Sequence, residues 1–344
     1  MQAAPKISVV MAVFNGERYL IEAVESILHQ SFRDFEFIIL NDGSTDESGE
    51  ILRRFAKRDS RIRLFNGERR GLTCCLNRGI AIAKGRYLAR MDADDVSLPG
   101  RFEAQVNYLD ANPEVVALGG QARVVSPEGW PLGHWSVPVE HEDIDAVHIA
   151  GFAGRLIHPT SMMRLDALRR IGGFDERLTY AQDYDLWLRL AEIARLSNLP
   201  GTILNYRLHL ASVSSATRRL QYESVVTIAK VARLRRGLSP LISLVDWESF
   251  QGWACGTTWD TRERWYRMAI EAQEFSTAVR IAFQVLVQKP LLISAWLRFV
   301  RLGRSICRAG LRRARGLKRD LVLNGGKGGR SSHSSERGRI ESVH

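Results

Sequence analysis

The chain has 344 residues, of which 45% are hydrophobic and 25% are charged, a composition typical of an ordinary globular protein with one large domain or two modest ones. Its formal net charge is +11, but twelve Lys or Arg residues and only three acidic ones lie in residues 301–344, so the basic character belongs to a tail. No apolar run is long enough for a signal peptide or a spanning helix, and the four cysteines lack metal-ligand spacing, so we expect a reducing, cytoplasmic compartment and exclude a structural zinc site.

Strands and helices alternate over the first ninety residues. Residues 7–14 form a nearly continuous apolar run, which is typical of a strand buried on both faces of a parallel sheet. Further strands are predicted at 35–40, 61–65 and 87–91, and helices at 17–29, around 51–55 and at 73–84. The alternation predicts an α/β fold, a mostly parallel sheet flanked by helices. Ligands bind beyond the carboxyl ends of such strands, where polar sequences follow Phe14, Leu40 and Met91.

The next hundred residues are less regular. We predict a helix at 101–110, a strand at 115–125, a mobile loop with a short helix at 135–155, a short helix ended by Gly172, a helix from Gln182, and a strand before Asn205. Loops of this kind vary with substrate, so residues 135–155 are expected to contribute to substrate specificity.

Beyond about residue 220 the pattern becomes helix after helix. Helices are predicted at 222–235, 261–274, 275–288 and 291–301. Residues 324–344 are rich in Gly, Ser and Arg with almost no apolar side chains, so we expect them to be disordered. The predicted domains are 1–217, an α/β domain, 218–323, a helical C-terminal region, and 324–344, a basic tail.

Three carboxylates crowd into the turn after the strand at 87–91. Asp92, Asp94 and Asp95 repel one another, and a folded protein usually accepts such crowding only where a cation or a proton relieves it. Hard oxygen ligands in a loop suit Mg²⁺ or Mn²⁺ rather than Zn²⁺, so we predict a divalent-metal site in which Asp92 and Asp94 share one ion. The alternative is a solvated acidic turn in which Asp95 caps the helix that begins near Pro99.

Four short motifs carry a resemblance to a known family. They are VVMAVFNG at 9–16, NDGSTD at 41–46, MDADD at 91–95 and QDYDLWLR at 182–189. Together they resemble the family 2 glycosyltransferases of the GT-A fold over roughly residues 5–215. The resemblance implies a metal-dependent, usually inverting transfer of a sugar from a nucleotide diphosphate sugar, most simply a UDP-sugar. The acceptor would be a glycan or lipid-linked molecule in the synthesis of a bacterial surface polysaccharide.

The resemblance also implies roles for the residues that bind the donor. Asp42 would contact the nucleoside, and Phe14 and Asn15 would lie near its base or ribose; a strand-end carboxylate can accept hydrogen bonds from an imide N–H or from ribose hydroxyls. Asp92 and Asp94 would hold the ion that bridges the donor diphosphate. The alternative for Asp42 is a purely structural Asx turn beside the glycine that follows it.

The resemblance places the catalytic base at Asp183. At the start of a helix this carboxylate would have a lowered pKa, because the helix N-terminus favours the charged form. Its alternative is a structural N-cap. The family usually has an acidic residue before this aspartate, whereas this chain has Gln182, so Asp185 is a second candidate; Arg189 is expected to pair with a neighbouring acid. His209 matches a histidine that in the family lies near the metal or the phosphates, and its alternative is a structural role.

The basic tail has three interpretations. Arginines recur every three or four residues from 304 to 315 among apolar side chains, as in a basic helix that lies on an anionic membrane, although Gly303 and Gly310 lower its helix propensity. Nucleic-acid binding is a rival, but no aromatic residues are interleaved and no specific nucleic-acid partner is expected. A solvated tail is the third. Because the family's acceptors are often lipid-linked, we favour peripheral contact of residues 301–323 with the inner face of the cell membrane.

Two other functions stay open. A sugar-phosphate nucleotidyltransferase shares the sheet type but needs a Gly- and Arg-rich phosphate loop directly after the first strand, and residues 15–18 are too short for it. A catalytically silent protein that binds nucleotide sugars, or a membrane scaffold, would keep Asp42 and the metal pair. The sequence feature that favours this second alternative is Gln182.

Overall fold

The structure is a computed structural model that describes residues 4–209, 218–240 and 258–288. The chain divides into two compact units, residues 1–277 and 278–344. The predictions for 291–301, for the membrane contact at 301–323 and for the tail at 324–344 lie outside the described residues.

The first half of the sheet is parallel, as predicted. Its strands follow the order β3-β2-β1-β4, with bounds β1 Ile7–Val13, β2 Phe35–Asp42, β3 Ile62–Gly67 and β4 Tyr87–Met91. Alternate side chains of β1 enter different cores, since Val9 and Val13 belong to one apolar cluster and Val10 to another. The sheet therefore has a packed core on each face, which explains why β1, β2 and β4 are mostly apolar.

The second half of the sheet is mixed. Beyond β4 the order continues β8-β6-β9-β5, with β7 paired antiparallel to β6; only β6 and β9 are parallel to each other in this half. The bounds are β5 Val96–Ser97, β6 Val115–Val125, β7 Pro131–Trp135, β8 Met162–Arg164 and β9 Arg195–Arg207. Three of these strands have only two to five residues, too few for a periodic pattern, and the sequence analysis missed them.

Helices of the first unit cover both faces of the sheet, and the last described helix continues past residue 277. Their bounds are α1 Glu17–Leu28, α2 Ser48–Arg58, α3 Leu72–Ile82, α4 Arg101–Ala111, α5 His141–Ile149, α6 Leu165–Arg170, α7 Gln182–Ala191, α8 Arg218–Arg235, α9 Thr258–Glu271 and α10 Phe275–Gln288, with a 3₁₀ turn at His158–Thr160. Residues 135–155, predicted as a loop with a short helix, contain the end of β7 and the helix α5.

Helices α8 and α9 lie in the first unit, as the sheet does. Apolar side chains of α8 share a buried cluster with α7, and α9 lies against β7. The domain division proposed at residue 217 stays a prediction. None of the helices in the described ranges is long and apolar enough to cross a membrane.

Candidate functional site

The predicted site residues gather at one edge of the sheet. β1 lies between β2 and β4, so the segments that follow these three strands emerge side by side at their carboxyl ends. Asn15 follows β1, Asp42 ends β2 and Asp92 follows β4. β2, the next strand along the chain, lies on one side of β1, and β4 lies on its other side. Such a change in strand order opens a crevice for a ligand.

Asp42 ties the end of β2 to the loop after β3. Its side chain is buried, and its two oxygens accept hydrogen bonds from the backbone N–H groups of Arg70 at 2.7 Å and Gly71 at 2.9 Å. Gly43 has a φ of +72°, and a Cβ at this position would lie 2.8 Å from the Arg69 nitrogen. The two segments therefore need a glycine here. Since a carboxylate oxygen can accept more than one hydrogen bond, Asp42 keeps acceptor capacity for a ligand.

The corner after β1 presents an aromatic ring. Phe14 is 38% exposed, and the guanidinium of Arg69 lies 3.8 Å from its ring centroid. Asn15 has a φ of 49°, and its side-chain oxygen accepts a hydrogen bond from the Thr45 backbone N–H at 2.8 Å. Its backbone N–H donates to the Ser44 hydroxyl at 3.1 Å. Asn15 thus fixes the corner to the turn after β2, while Phe14 offers an exposed face beside Asp42.

The acidic turn brings together the three residues predicted to surround a metal. The buried guanidinium of Arg90 donates to Asp92 Oδ1, and His209 Nε2 donates to Asp94 Oδ2 at 2.8 Å. Burial raises the pKa of Asp92 and the charge of Asp94 raises it further, against the opposing effect of Arg90. Asp92 and Asp94 therefore lie close enough to repel each other, which is the arrangement that a cation would relieve.

Asp95 has a different environment from its two neighbours. It is 2% exposed, and its Oδ1 accepts a hydrogen bond from the backbone N–H of Arg207 at 2.8 Å. Burial, followed by the charges of Asp94 and Asp92, raises the pKa of Asp95 well above its usual range. The alternative in which Asp95 caps α4 is wrong, because the N-cap residue of α4 is Gly100 and no side chain caps it. Asp95 is a structural anchor inside the turn.

Arg207, at the end of β9, is a site residue that the sequence analysis missed. Its guanidinium is buried and donates to the carbonyls of Asp94 at 2.8 Å and Pro127 at 2.9 Å, and to the Glu22 carboxylate at 2.6 Å. It also lies 4.7 Å from the ring centroid of Tyr19. One side chain thus joins α1, the acidic turn and the turn before β7. The available signal was an arginine directly after a predicted strand; the structure extends that strand to Arg207, and a buried charge needs several partners.

Asp183 lies in the first turn of α7, but it is not the N-cap. That position belongs to Ala181, so the alternative role predicted for Asp183 is wrong. The expected lowering of its pKa is also wrong in sign. Burial raises the pKa of Asp183 and the charge of Asp92 adds to this, while hydrogen bonds from backbone N–H groups oppose it. The same charge effect shows that Asp183 and Asp92 lie within electrostatic range of each other. Asp185 instead pairs with Arg189 at 2.8 Å, which confirms the expected partner of that arginine.

The donor set fits a hard divalent cation that is shared with a substrate. No cluster of three or more His, Cys, Asp or Glu side chains within residues 4–209, 218–240 and 258–288 forms a complete ion site. Mg²⁺ and Mn²⁺ are commonly held by one or two carboxylates together with substrate phosphates, and Asp92 and Asp94 supply such a pair. Burial and, to a smaller extent, the charge of Asp94 raise the pKa of Asp92, and a cation would relieve the repulsion between these two carboxylates.

Comparison with known proteins identifies relatives of the chain. The sequence model described as "Glycosyl transferase family 2" matches residues 8–172. An uncharacterized glycosyltransferase of Haemophilus influenzae is 32% identical over 240 residues, 67% of this chain and 74% of that protein. The O-antigen biosynthesis glycosyltransferase WbnJ of Escherichia coli is 34% identical over 61% of this chain and 82% of its own length.

Two solved structures share the fold. S. aureus TarS 1–349 in complex with UDP-GlcNAc has a TM-score of 0.54 and 17% identity, with 90% of this chain and 92% of TarS covered. The mannosyltransferase PcManGT from Pyrobaculum calidifontis, in complex with GDP-Man and Mn²⁺, has a TM-score of 0.53 and 18% identity, with 89% of this chain and 86% of that chain covered. The likeness confirms the predicted GT-A type of α/β fold.

Proposed function

This chain belongs to glycosyl transferase family 2, and from that premise we propose that it moves a sugar, with inversion, from a UDP-sugar to a glycan or lipid-linked acceptor in polysaccharide synthesis. The observation that carries the proposal is the convergence of Phe14, Asp42, Asp92, Asp94 and Asp183. The first four lie at one sheet edge, and Asp183 is a partly exposed carboxyl whose pKa is raised by burial and, less strongly, by the charge of Asp92. The name of WbnJ supports a polysaccharide product.

The nucleoside is assigned to the crevice between the ends of β1 and β2. The exposed ring of Phe14 offers a flat apolar face to a base, and the spare acceptor capacity of Asp42 suits an imide N–H or the ribose hydroxyls. Uracil has such an N–H, and the structural neighbour TarS is known with UDP-GlcNAc. Guanine also has a ring N–H, so the choice of UDP in the proposal rests on the TarS complex.

The diphosphate is assigned to the acidic turn. Asp92 and Asp94 would hold a Mg²⁺ or Mn²⁺ ion there, and the structural neighbour PcManGT contains Mn²⁺. When bound, such an ion neutralises the charge that develops on the leaving diphosphate. The chain's own contribution is to keep the two carboxylates in place. Arg90 holds Asp92 and His209 holds Asp94 through the hydrogen bonds described above.

Asp183 is assigned as the base that takes the proton from the acceptor hydroxyl. A carboxylate with an ordinary pKa is a weak base, but burial raises the pKa of Asp183 and so strengthens it. The backbone N–H of Tyr184 donates to Asp183 Oδ1 at 2.9 Å and orients the carboxylate. The other oxygen, Oδ2, is the one assigned to the acceptor.

The proposal is tested by nucleotide release from a panel of UDP- and GDP-sugars with Mn²⁺, in the presence of a bacterial lipid extract as acceptor. We expect the wild type to release UDP from at least one donor and the Asp183→Asn variant to release it at least about a hundredfold more slowly. Equal release by both proteins would contradict the role of Asp183. Failure of the wild type with every donor would contradict the proposed function.

Peripheral membrane contact through residues 301–323, on the cytoplasmic face, remains part of the proposal and rests on the sequence alone. Flotation of the full chain with vesicles that contain anionic lipid tests it. Removal of residues 301–344 should abolish flotation; unchanged flotation would contradict the assignment.

A further inference from the structure

We propose that α8 together with Arg236 is a brace that positions the first turn of α7, and with it Asp183. Arg236 is the positioning residue that locks this brace to α5 and α7. The inference rests on the proposed function in one respect, the role of Asp183 as the base. Its structural part, the control of the first turn of α7 by α8, stands on contacts alone.

The start of α7 lacks the usual local stabilisation. Its N-cap residue, Ala181, has a φ of 56°, a conformation that a residue with a Cβ rarely adopts. No side chain caps the helix there. A strained start without a cap persists only where the surrounding structure enforces it. The first turn of α7 must therefore be held by packing.

The packing comes from α8. Tyr184, the residue after Asp183, is 1% exposed and belongs with Leu188 to a buried cluster whose other members come from α8: Val225, Ile228, Ala229 and Ala232. Ala181 packs partly buried against the same cluster. The Tyr184 hydroxyl donates to the His148 carbonyl in α5. The strained cap and the residue adjacent to the base are thus both held in a core that α8 completes.

Arg236 closes this arrangement with polar contacts. One of its guanidinium nitrogens donates to both oxygens of Asp145 in α5, at 2.9 and 2.7 Å. The other donates to the Leu188 carbonyl in α7 at 3.0 Å. The Arg236 and Asp145 side chains are only 18% and 23% exposed. Arg235 adds an ion pair to Glu192, the C-cap residue of α7, at 2.8 Å. The brace therefore contacts α7 from its first turn to its last residue.

Asp183 needs such support more than an exposed carboxylate would. Its side chain is only partly exposed to water, and the negative charge of Asp92 repels it. Both effects favour movement of the side chain towards solvent. A small displacement of a base from its acceptor lowers the rate strongly while leaving donor binding intact.

The test compares Arg236→Ala with Arg219→Ala in the full chain. Arg219 is a matched control on the same helix, since its side chain is 82% exposed and its ion pair is with Glu223 within α8. Hydrogen exchange followed by mass spectrometry reports on residues 182–190, and kinetics separate kcat from the KM for the donor. We expect about tenfold faster exchange in α7 and about tenfold lower kcat in Arg236→Ala, with the donor KM within about twofold of wild type and no change in Arg219→Ala.

Asp145→Asn is a milder variant for use if Arg236→Ala does not fold. It removes the charge that anchors Arg236 to α5, so it should change exchange and kcat in the same direction by a smaller factor. If the hydrogen-exchange rate of α7 in Arg236→Ala and in Asp145→Asn equals that in Arg219→Ala, the proposed role of α8 and Arg236 is contradicted. Absence of turnover in the wild type would instead contradict the proposed function. The hydrogen-exchange data would still test whether α8 and Arg236 hold the first turn of α7.

Discussion

The backbone N–H of Arg207 donates a 2.8 Å hydrogen bond to the buried carboxylate of Asp95, which links the end of β9 to the turn after β4. This contact divides the three neighbouring aspartates by role. Asp95 is turned into the protein as an anchor, whereas Asp92 and Asp94, 31% and 34% exposed, remain accessible to a ligand. Four predictions follow from this division and from the site around it, each with its own control.

Asp95→Asn should stabilise the ligand-free protein at alkaline pH. The asparagine keeps an oxygen for the Arg207 N–H and removes the charge. Burial and the charges of Asp94 and Asp92 raise the pKa of Asp95 in the folded state. Above about pH 4 the unfolded chain has lost the proton that the folded state still holds. The stability of the wild type therefore falls as pH rises from about 4 towards the raised pKa. We expect the variant to gain at least about 1 kcal/mol at pH 8 and nothing near pH 4. Urea unfolding at both pH values measures this.

Asp59→Asn is a control in which the stability at pH 8 should change in the opposite direction. The hydrogen bond from the Arg61 side chain lowers the pKa of Asp59, so its charge stabilises the fold above the unfolded pKa and is lost as pH falls. This variant should lose stability at pH 8. A loss of stability in Asp95→Asn at that pH would contradict the raised pKa of Asp95.

Asp183→Asn should abolish turnover without weakening donor binding. We expect kcat to fall by about 10² to 10⁴ while the Kd for UDP stays within about twofold. In the wild type, kcat/KM should fall as pH is lowered through the pKa of Asp183, at a pH above the ordinary value of 3.8, since the base must be deprotonated and burial raises its pKa. Asp185→Asn, whose carboxylate pairs with Arg189, should lose less than about tenfold. A larger loss in Asp185→Asn than in Asp183→Asn would reverse the assignment.

His209→Ala should weaken the binding of Mn²⁺ in the presence of UDP. The imidazole holds Asp94 through a 2.8 Å hydrogen bond, and removal of such a support typically lowers metal affinity by about 10- to 100-fold. Titration of Mn²⁺ followed by electron paramagnetic resonance measures the change. His29→Ala is the matched control, because that ring is bonded to the Glu25 carbonyl at the end of α1. Equal Mn²⁺ affinity in the two variants would contradict a role for His209 at the metal.

Gly43→Ala should disturb the nucleoside pocket as well as the fold. Gly43 and Gly100 both have positive φ, at 72° and 83°, so alanine at either position costs about 1–2 kcal/mol. Only at Gly43 does the new Cβ meet a neighbour, the Arg69 nitrogen at 2.8 Å, whereas at Gly100 nothing lies within 4 Å. We therefore expect UDP binding to weaken in Gly43→Ala and to persist in Gly100→Ala. Equal UDP affinity in both would show that the loop after β3 does not shape the pocket.

The parallel half of the sheet was predictable because its signal is local. A strand buried on both faces is mostly apolar, and β1 shows this, with Val9 and Val10 entering different cores and Ser8 as its one polar residue. The short strands β5 and β8 could not be found in this way, since two or three residues show no period and owe their conformation to the partners β9, β4 and β6.

The sequence predicts that several candidate site residues lie at one sheet edge, as they do, whereas the contacts that hold them could not be predicted; their roles stay a prediction. Asp42, Asp92 and Asp94 can be recognised in the sequence because they are acidic residues at the ends of predicted strands. The hydrogen bond between Asp95 and Arg207 spans 112 residues of sequence, and no local pattern encodes it. The pKa of Asp183 shows the same limit, because a rule about helix ends predicts a decrease, whereas burial, which depends on the tertiary fold, produces an increase.

The most direct test of the account is calorimetric titration of UDP and GDP, with and without Mn²⁺, into the wild type and into the double variant Asp92→Ala with Asp94→Ala. We predict that UDP binds the wild type more tightly than GDP, that Mn²⁺ strengthens this binding, and that the double variant loses the metal effect. Absence of binding of either nucleotide to the wild type, with or without Mn²⁺, would contradict the assignment of this sheet edge as a nucleotide-sugar site.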